Sequence, residues 1–186
     1  MFGAVEEATD AQARAIFDTN VFGVLNVLRA ALPVLRAQAS GHILQGSSFY
    51  GQSAQAGVGL LASTKYAVEG LSDALIDELK PLGIKVTIVE PGPTATSFLD
   101  NLDLAAPTPA YDGTVRVVQQ AIAAWPRDAF TDPARAATAI LAIVDADEPP
   151  LRFAIGAGAA DDMRAALIAR LTDLDKWSAV TNSVAV

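Results

Sequence analysis

The succession of elements along this sequence predicts an α/β fold, a doubly wound unit of about three parallel strands flanked by helices. Three observations predict it. Two long patterns of helical apolar spacing, Thr9–Arg36 and Leu60–Leu82, alternate with short runs rich in Ile, Leu and Val. Helices set between short strands make βαβ units, whose strands run parallel. The chain has 186 residues, which fits one domain with a buried core, and residues 1–186 read as a single domain without internal repeat, linker or low-complexity block.

Thr9-Asp10-Ala11-Gln12 has the form of a capping box and starts the first helix. Ile16, Phe17, Val21, Val24, Leu25 and Leu28 recur at helical spacing, and Pro33 predicts a bend. Gly41 breaks the chain before a buried strand over His42–Ser47. A Gly-, Ser- and Gln-rich loop leads to Gly59, and the second helix runs until Pro81 and Gly83 stop it. Ile84–Glu90 is the clearest strand, rich in β-branched residues and ended by Pro91-Gly92-Pro93. The segment Ser97–Asp128 is long for a connection, which marks function, and holds a helix near Gly113–Ala124. Asp132-Pro133 is an N-cap with proline at the first helical position, opening a helix to Val144. Leu151–Ile155 reads as a third strand and Ala159–Trp177 as a last helix, with a frayed tail over Ser178–Val186.

Composition excludes several functions. Hydrophobic residues make up 52% and charged residues 18%, which leaves apolar surface for a partner. A net charge of −8 repels nucleic acid and anionic membrane surfaces. Without cysteine there are no disulfides, thiolate metal sites or cysteine nucleophiles. The acidic pairs Glu6-Glu7 and Asp161-Asp162 read as a solvated helix approach and a helix-dipole partner, and no metal site is expected. No signal peptide is read after Met1, and no apolar run approaches the ~18 residues of a membrane span. The chain is expected to be soluble and cytoplasmic.

In doubly wound sheets, ligands bind beyond the carboxyl ends of the strands. Ser48 closes the first strand, Pro91 and Gly92 close the second, and Lys65 lies in the first turns of the helix after the Ser48 loop. Ser48, Leu61 and Lys65 stand at the spacing Ser-x12-residue-x3-Lys. Residues 61 and 65 are i,i+4 and share a helix face. A tyrosine at 61 would set its phenol beside the Lys65 ammonium, which favours the phenolate; with a serine hydroxyl holding the substrate oxygen, the pair would reduce a carbonyl or oxidise an alcohol. Leu61 has no proton to give. Tyr66 points roughly 140° away around the helix, and Tyr50 sits in the loop two residues past Ser48. His42 reads as structural, which argues against a Ser–His hydrolase.

Four stretches stand in one joint order: Asn20 within Asp18-Thr19-Asn20-Val21-Phe22-Gly23, then Gly46-Ser47-Ser48, then Ser63-Thr64-Lys65-Tyr66-Ala67-Val68-Glu69-Gly70, then Glu90-Pro91-Gly92-Pro93-Thr94-Ala95-Thr96. This order resembles the short-chain dehydrogenase/reductases over essentially the whole chain. The resemblance implies a Rossmann-like fold, NAD or NADP as cofactor, and alcohols or carbonyl compounds as ligands. It implies that Ser48 orients the substrate, that Lys65 binds the nicotinamide ribose, and that Asn20 supports a water-mediated proton relay. Pro91, Gly92 and Thr96 would lie against the nicotinamide, and Leu61 takes the catalytic tyrosine position. By the same resemblance the sequence is the family's C-terminal part, beginning after the Asn-Asn-Ala-Gly strand and so after the glycine-rich dinucleotide loop. The expectation is an impaired or inactive oxidoreductase homologue. The alternatives are a non-catalytic binding or dimeric assembly protein, and a fragment or variant of an active oxidoreductase. A homodimer or larger assembly is expected.

Overall fold

The computed structural model describes residues 1–184. Strands β1 (Gly41–Gly46), β2 (Ile84–Pro91) and β3 (Arg152–Ile155) form one parallel sheet in the order β1-β2-β3. The helices are α1 (Asp10–Gln38), α2 (Gly59–Leu79), α3 (Val117–Ala123), α4 (Pro133–Val144), α5 (Ala157–Lys176) and α6 (Ser178–Asn182). The α/β class and the three parallel strands are as the sequence predicts. Two boundaries differ. The helix expected from Gly113 begins as a wide π turn, Asp112–Arg116, before α3. The tail expected to fray instead winds into α6, although its last two residues, Ala185 and Val186, lie outside the described residues.

The α1 capping box forms: the Thr9 hydroxyl accepts from the Gln12 N–H at 3.2 Å, and the Gln12 side chain accepts from the Thr9 N–H at 3.1 Å. The helix runs on through Pro33 and ends at Ala39 in the left-handed region, φ 52°. By length and composition α1 is long and apolar enough to cross a membrane, which corrects the expectation that no stretch reaches that length. The miss arose because its polar residues are scattered and few are charged, so no single unbroken run stands out. Val24, Leu28, Leu32 and Leu35 of α1 pack with Leu75 and Leu79 of α2 and with Ile84 and Val86 of β2, while Phe22, Val27 and Val34 are exposed.

β2 is paired on both sides and buried along both faces from Ile84 to Glu90, Lys85 excepted. It follows Gly83, whose φ of +72° suits glycine and where a Cβ would stand 2.8 Å from the Ala39 carbonyl oxygen. At its far end the Gly92 N–H donates to the Ile155 carbonyl at 2.9 Å. A Cβ on Gly92 would lie 2.6 Å from the Ala159 Cβ, so α5 can approach the strand end only because residue 92 is glycine. Gly92→Val is therefore expected to cost about 1–3 kcal/mol by overpacking. A urea midpoint equal to that of the unsubstituted protein would show that α5 moves aside freely.

The N-terminal segment is tied to the long segment after β2. Phe2 and Ala105 are bonded through the Ala105 N–H and Phe2 carbonyl at 2.9 Å, and the Phe2 N–H reaches the Asp103 carbonyl at 2.8 Å. Glu7 is buried and paired with Arg116, and it also accepts from the Ala4 and Thr108 N–H groups. Burial pushes its carboxyl up, but those hydrogen bonds and the guanidinium together hold it below the usual carboxylate range. This corrects the reading of Glu6-Glu7 as a solvated pair. Burial could not be foreseen, because the partner lies 109 residues away.

Candidate active site

The parallel register sets Gly46 opposite Val89, so β1 and β2 end side by side. The Ser47 N–H extends that pairing to the Val89 carbonyl at 2.8 Å. Ser48 then caps a short 3-10 turn, Phe49–Gly51, its hydroxyl accepting from the Tyr50 N–H at 3.2 Å. The same hydroxyl donates to the Pro91 carbonyl at 3.4 Å, a long bond that links the two strand ends. The chain next enters α2, whose early turns carry Leu61 and Lys65. Lys65 Nζ donates to the Gly46 carbonyl at 3.3 Å. Burial holds this ammonium below its ordinary pKa.

These elements surround a cavity of about 530 Å³. Ser48, Leu61, Lys65, Pro91, Gly92 and Thr96, separated by up to 48 positions in the chain, all line it. The remaining wall is mostly apolar, with Phe2 from the N-terminal segment, Phe49 and Tyr50 from the loop, and Phe98, Trp125 and Phe130 from the long segment after β2. The segment Ser97–Asp128, singled out by its length, contributes Phe98 and Trp125 to this wall, and Phe130 lies just beyond it.

Asn20 is placed differently. It sits in a π turn of α1, Asp18–Phe22, and is not part of the lining. Its Nδ2 donates to the Thr64 hydroxyl at 3.0 Å, and that hydroxyl donates to the Leu61 carbonyl at 2.8 Å. Asn20 thus reaches the backbone of residue 61 through Thr64. The extra residue of a π turn shifts the helical phase, so simple periodicity could not tell where Asn20 points.

Neither nearby tyrosine replaces the missing phenol. Tyr50 lines the cavity, but Gln55 Nε2 donates to its hydroxyl at 2.6 Å and fixes it in the wall. Burial pushes the Tyr50 phenol above its usual range; Gln55 opposes this and Asp162 adds to it. Tyr66 lies outside the lining, with the Arg170 guanidinium 5.2 Å from its ring centroid. His42 bonds Thr87 at 2.9 Å, and Thr87 in turn donates to the Pro150 carbonyl at 2.7 Å, at the opposite end of the strand from Ser48.

Directly before the lining residue Pro91, Glu90 belongs to a polar cluster that the motifs did not reveal. Glu90, fully buried at the end of β2, faces Glu69 of α2. Gln52 Nε2 donates to both carboxylates, at 3.0 Å to Glu69 and 3.2 Å to Glu90. Arg152 of β3 donates to Glu69 at 3.2 Å and to Asp73, and stands 3.9 Å from Glu90. Burial, and then the charge of Glu69, push the Glu90 carboxyl up to about 7. A carboxylate following the apolar pair Ile88-Val89 near the end of a central strand was the available signal. Among the described residues no acidic or histidine cluster has the form of a metal site.

The comparisons with known proteins agree with this arrangement. A family model described as short chain dehydrogenase matches residues 1–106. The chain is 32% identical over 176 residues to Oxidoreductase BOA17 of Botryotinia fuckeliana, covering 94% of this chain and 64% of that protein. It is 33% identical over 156 residues to the 3-ketodihydrosphingosine reductase of Bacteroides thetaiotaomicron, covering 83% of this chain and 58% of that one. The crystal structure of a short-chain dehydrogenase from Streptomyces avermitilis superimposes with a TM-score of 0.89 at 36% identity, over 99% of this chain and 66% of that one. The chain thus spans less than two thirds of the length of these curated relatives. A match that takes in more than half of the sequence, and every motif gathered at the strand ends, establishes that the chain belongs to the short-chain dehydrogenase family.

Proposed function

We propose that this chain carries the substrate half of a short-chain dehydrogenase site and makes no proton transfer at residue 61. An alcohol or carbonyl compound binds in the cavity, and turnover is impaired or lost in this chain alone. The observation that carries this reading is Leu61, an alkyl group in the wall shared by Ser48 and Lys65. Ser48 supplies a hydroxyl for the substrate oxygen and Lys65 a fixed positive charge, but an aliphatic side chain can neither give nor take the proton.

The cofactor of this reading is NAD or NADP; solved neighbours of the same fold hold NADP in one case and NAD in another. When bound, it would supply or take the hydride. The residues fit its nicotinamide end, where Lys65, Pro91, Gly92 and Thr96 meet in one apolar-walled cavity. They do not gather a phosphate cradle there: among the described residues Lys65 is the only cationic side chain in the lining. Calorimetric titration of the purified chain with NAD(H) and NADP(H) is expected to give binding weaker than about 1 mM, and Leu61→Tyr alone is expected not to restore turnover. Tight NADPH binding, with turnover that Ser48→Ala abolishes, would overturn the reading. A cytoplasmic homodimer completes the proposal. It is supported by the exposed Phe22, Val27 and Val34 of α1 and by the outer edge of β1, which pairs with no strand among the described residues.

A further inference from the structure

The cavity pairs a long apolar wall with a cationic side chain, Lys65, that has no counter-charge among the described residues. Lys65 is half-buried, and among the described residues no carboxylate lies within ion-pair distance of its ammonium. Its hydrogen bond to the Gly46 carbonyl is long, at 3.3 Å. A phenol at residue 61 would stand beside this charge, but Leu61 offers only alkyl surface. Ser48 is similarly available: its donated bond to Pro91 is 3.4 Å, and a better acceptor can replace it. Asp100, the one acidic side chain in the lining, is exposed, where water and salt screen it.

We propose that the cavity binds an aliphatic monocarboxylate of medium length, its carboxylate against Lys65 and Ser48 and its chain along Leu61 and the aromatic wall. The proposal rests on the reading of this cavity as the substrate site and narrows the ligand chemistry. An ammonium that has lost water gains most from a ligand bearing the opposite charge. The Lys65 ammonium beside the Ser48 hydroxyl matches the one charge and two oxygens of a carboxylate. Phe2, Phe98, Trp125 and Phe130 supply the apolar surface, and a volume of about 530 Å³ falls within the small-molecule range of about 300–1,000 Å³.

The test is calorimetry on the whole purified chain with octanoate, decanoate, decylammonium and 1-octanol, each below its micelle concentration. Quenching of Trp125 fluorescence, absent in Trp125→Phe, locates the ligand. Decanoate is expected to bind roughly tenfold tighter than octanoate, as two more buried methylenes require. Decylammonium is expected to bind at least about tenfold more weakly than decanoate, and Lys65→Met to lose about tenfold for decanoate with 1-octanol unchanged. Lys65→Arg should retain most of the affinity, since it keeps the charge. Decylammonium binding as tightly as decanoate, or a Lys65→Met variant with unchanged decanoate affinity, overturns the proposal. Binding of 1-octanol without any preference for a carboxylate overturns the proposal alone and leaves the substrate-site reading standing. Binding of none of the four overturns both.

Discussion

Between pH 5 and pH 8 the folded chain is expected to lose stability on the order of 3 kcal/mol through one side chain, Glu90. Its carboxyl titrates at about 7 in the fold, against 4.5 for an unperturbed carboxyl. Because the folded value is the raised one, the folded chain holds the proton over this window while the unfolded chain has released it. Stability therefore falls as pH rises from about 4.5 to about 7, and it is flat in this respect on either side. The cause is burial beside Glu69: a proton on Glu90 removes one of two negative charges that share Gln52 and Arg152. His42 acts in the opposite sense, since burial and then Lys85 hold its ring below the usual value, and its contribution grows as pH rises. The measurement that separates them is the pH dependence of the urea midpoint for the parent chain and for Glu90→Gln. Glutamine keeps an acceptor for Gln52 and carries no charge. The variant should be the more stable at pH 8 and nearly level with the parent at pH 5. Two parallel curves would show that Glu90 is ionised throughout.

What the sequence could tell and what it could not follow one physical division. Local rules placed the capping box at Thr9, the strand Ile84–Glu90 and the proline-led start of α4, because each depends on residues within a turn of one another. The convergence of Ser48 with Pro91 and Gly92 was readable too, since parallel strands must end on the same side of a sheet. The partner of Glu7, the Arg152 that reaches across to Glu69 and Glu90, and the placing of Phe2 against the long segment after β2 were not readable. Each joins residues about 60 to 110 positions apart, and no periodicity within a window carries that information. Asn20 shows a different limit: it came from the resemblance alone, and the π turn that holds it and its bond to Thr64 were not readable from helical periodicity.

The Arg152 link carries the second large effect. Arg152→Met is expected to cost about 2–4 kcal/mol at pH 8; the lower part of that range reflects a guanidinium whose side chain is 36% exposed and so partly screened. Methionine keeps much of the volume but leaves Glu69 and Glu90 buried with Gln52 as their shared donor. Asp73, half exposed, is left facing water and tolerates the loss. Two buried carboxylates without a cation cannot both stay ionised, so the variant should take up a proton at higher pH than the parent does. The cost of Arg152→Met should accordingly shrink at pH 5, where Glu90 is neutral in both proteins, and Glu90→Gln should recover part of it at pH 8. That recovery is a coupling between contacting groups, which separate sites would not show. It also bears on the cavity, because Glu90 is followed directly by Pro91 and Gly92 in its wall. If Arg152→Met costs the same at pH 5 and pH 8, then Arg152 stabilises the chain by packing, and the carboxyl pair does not depend on its charge.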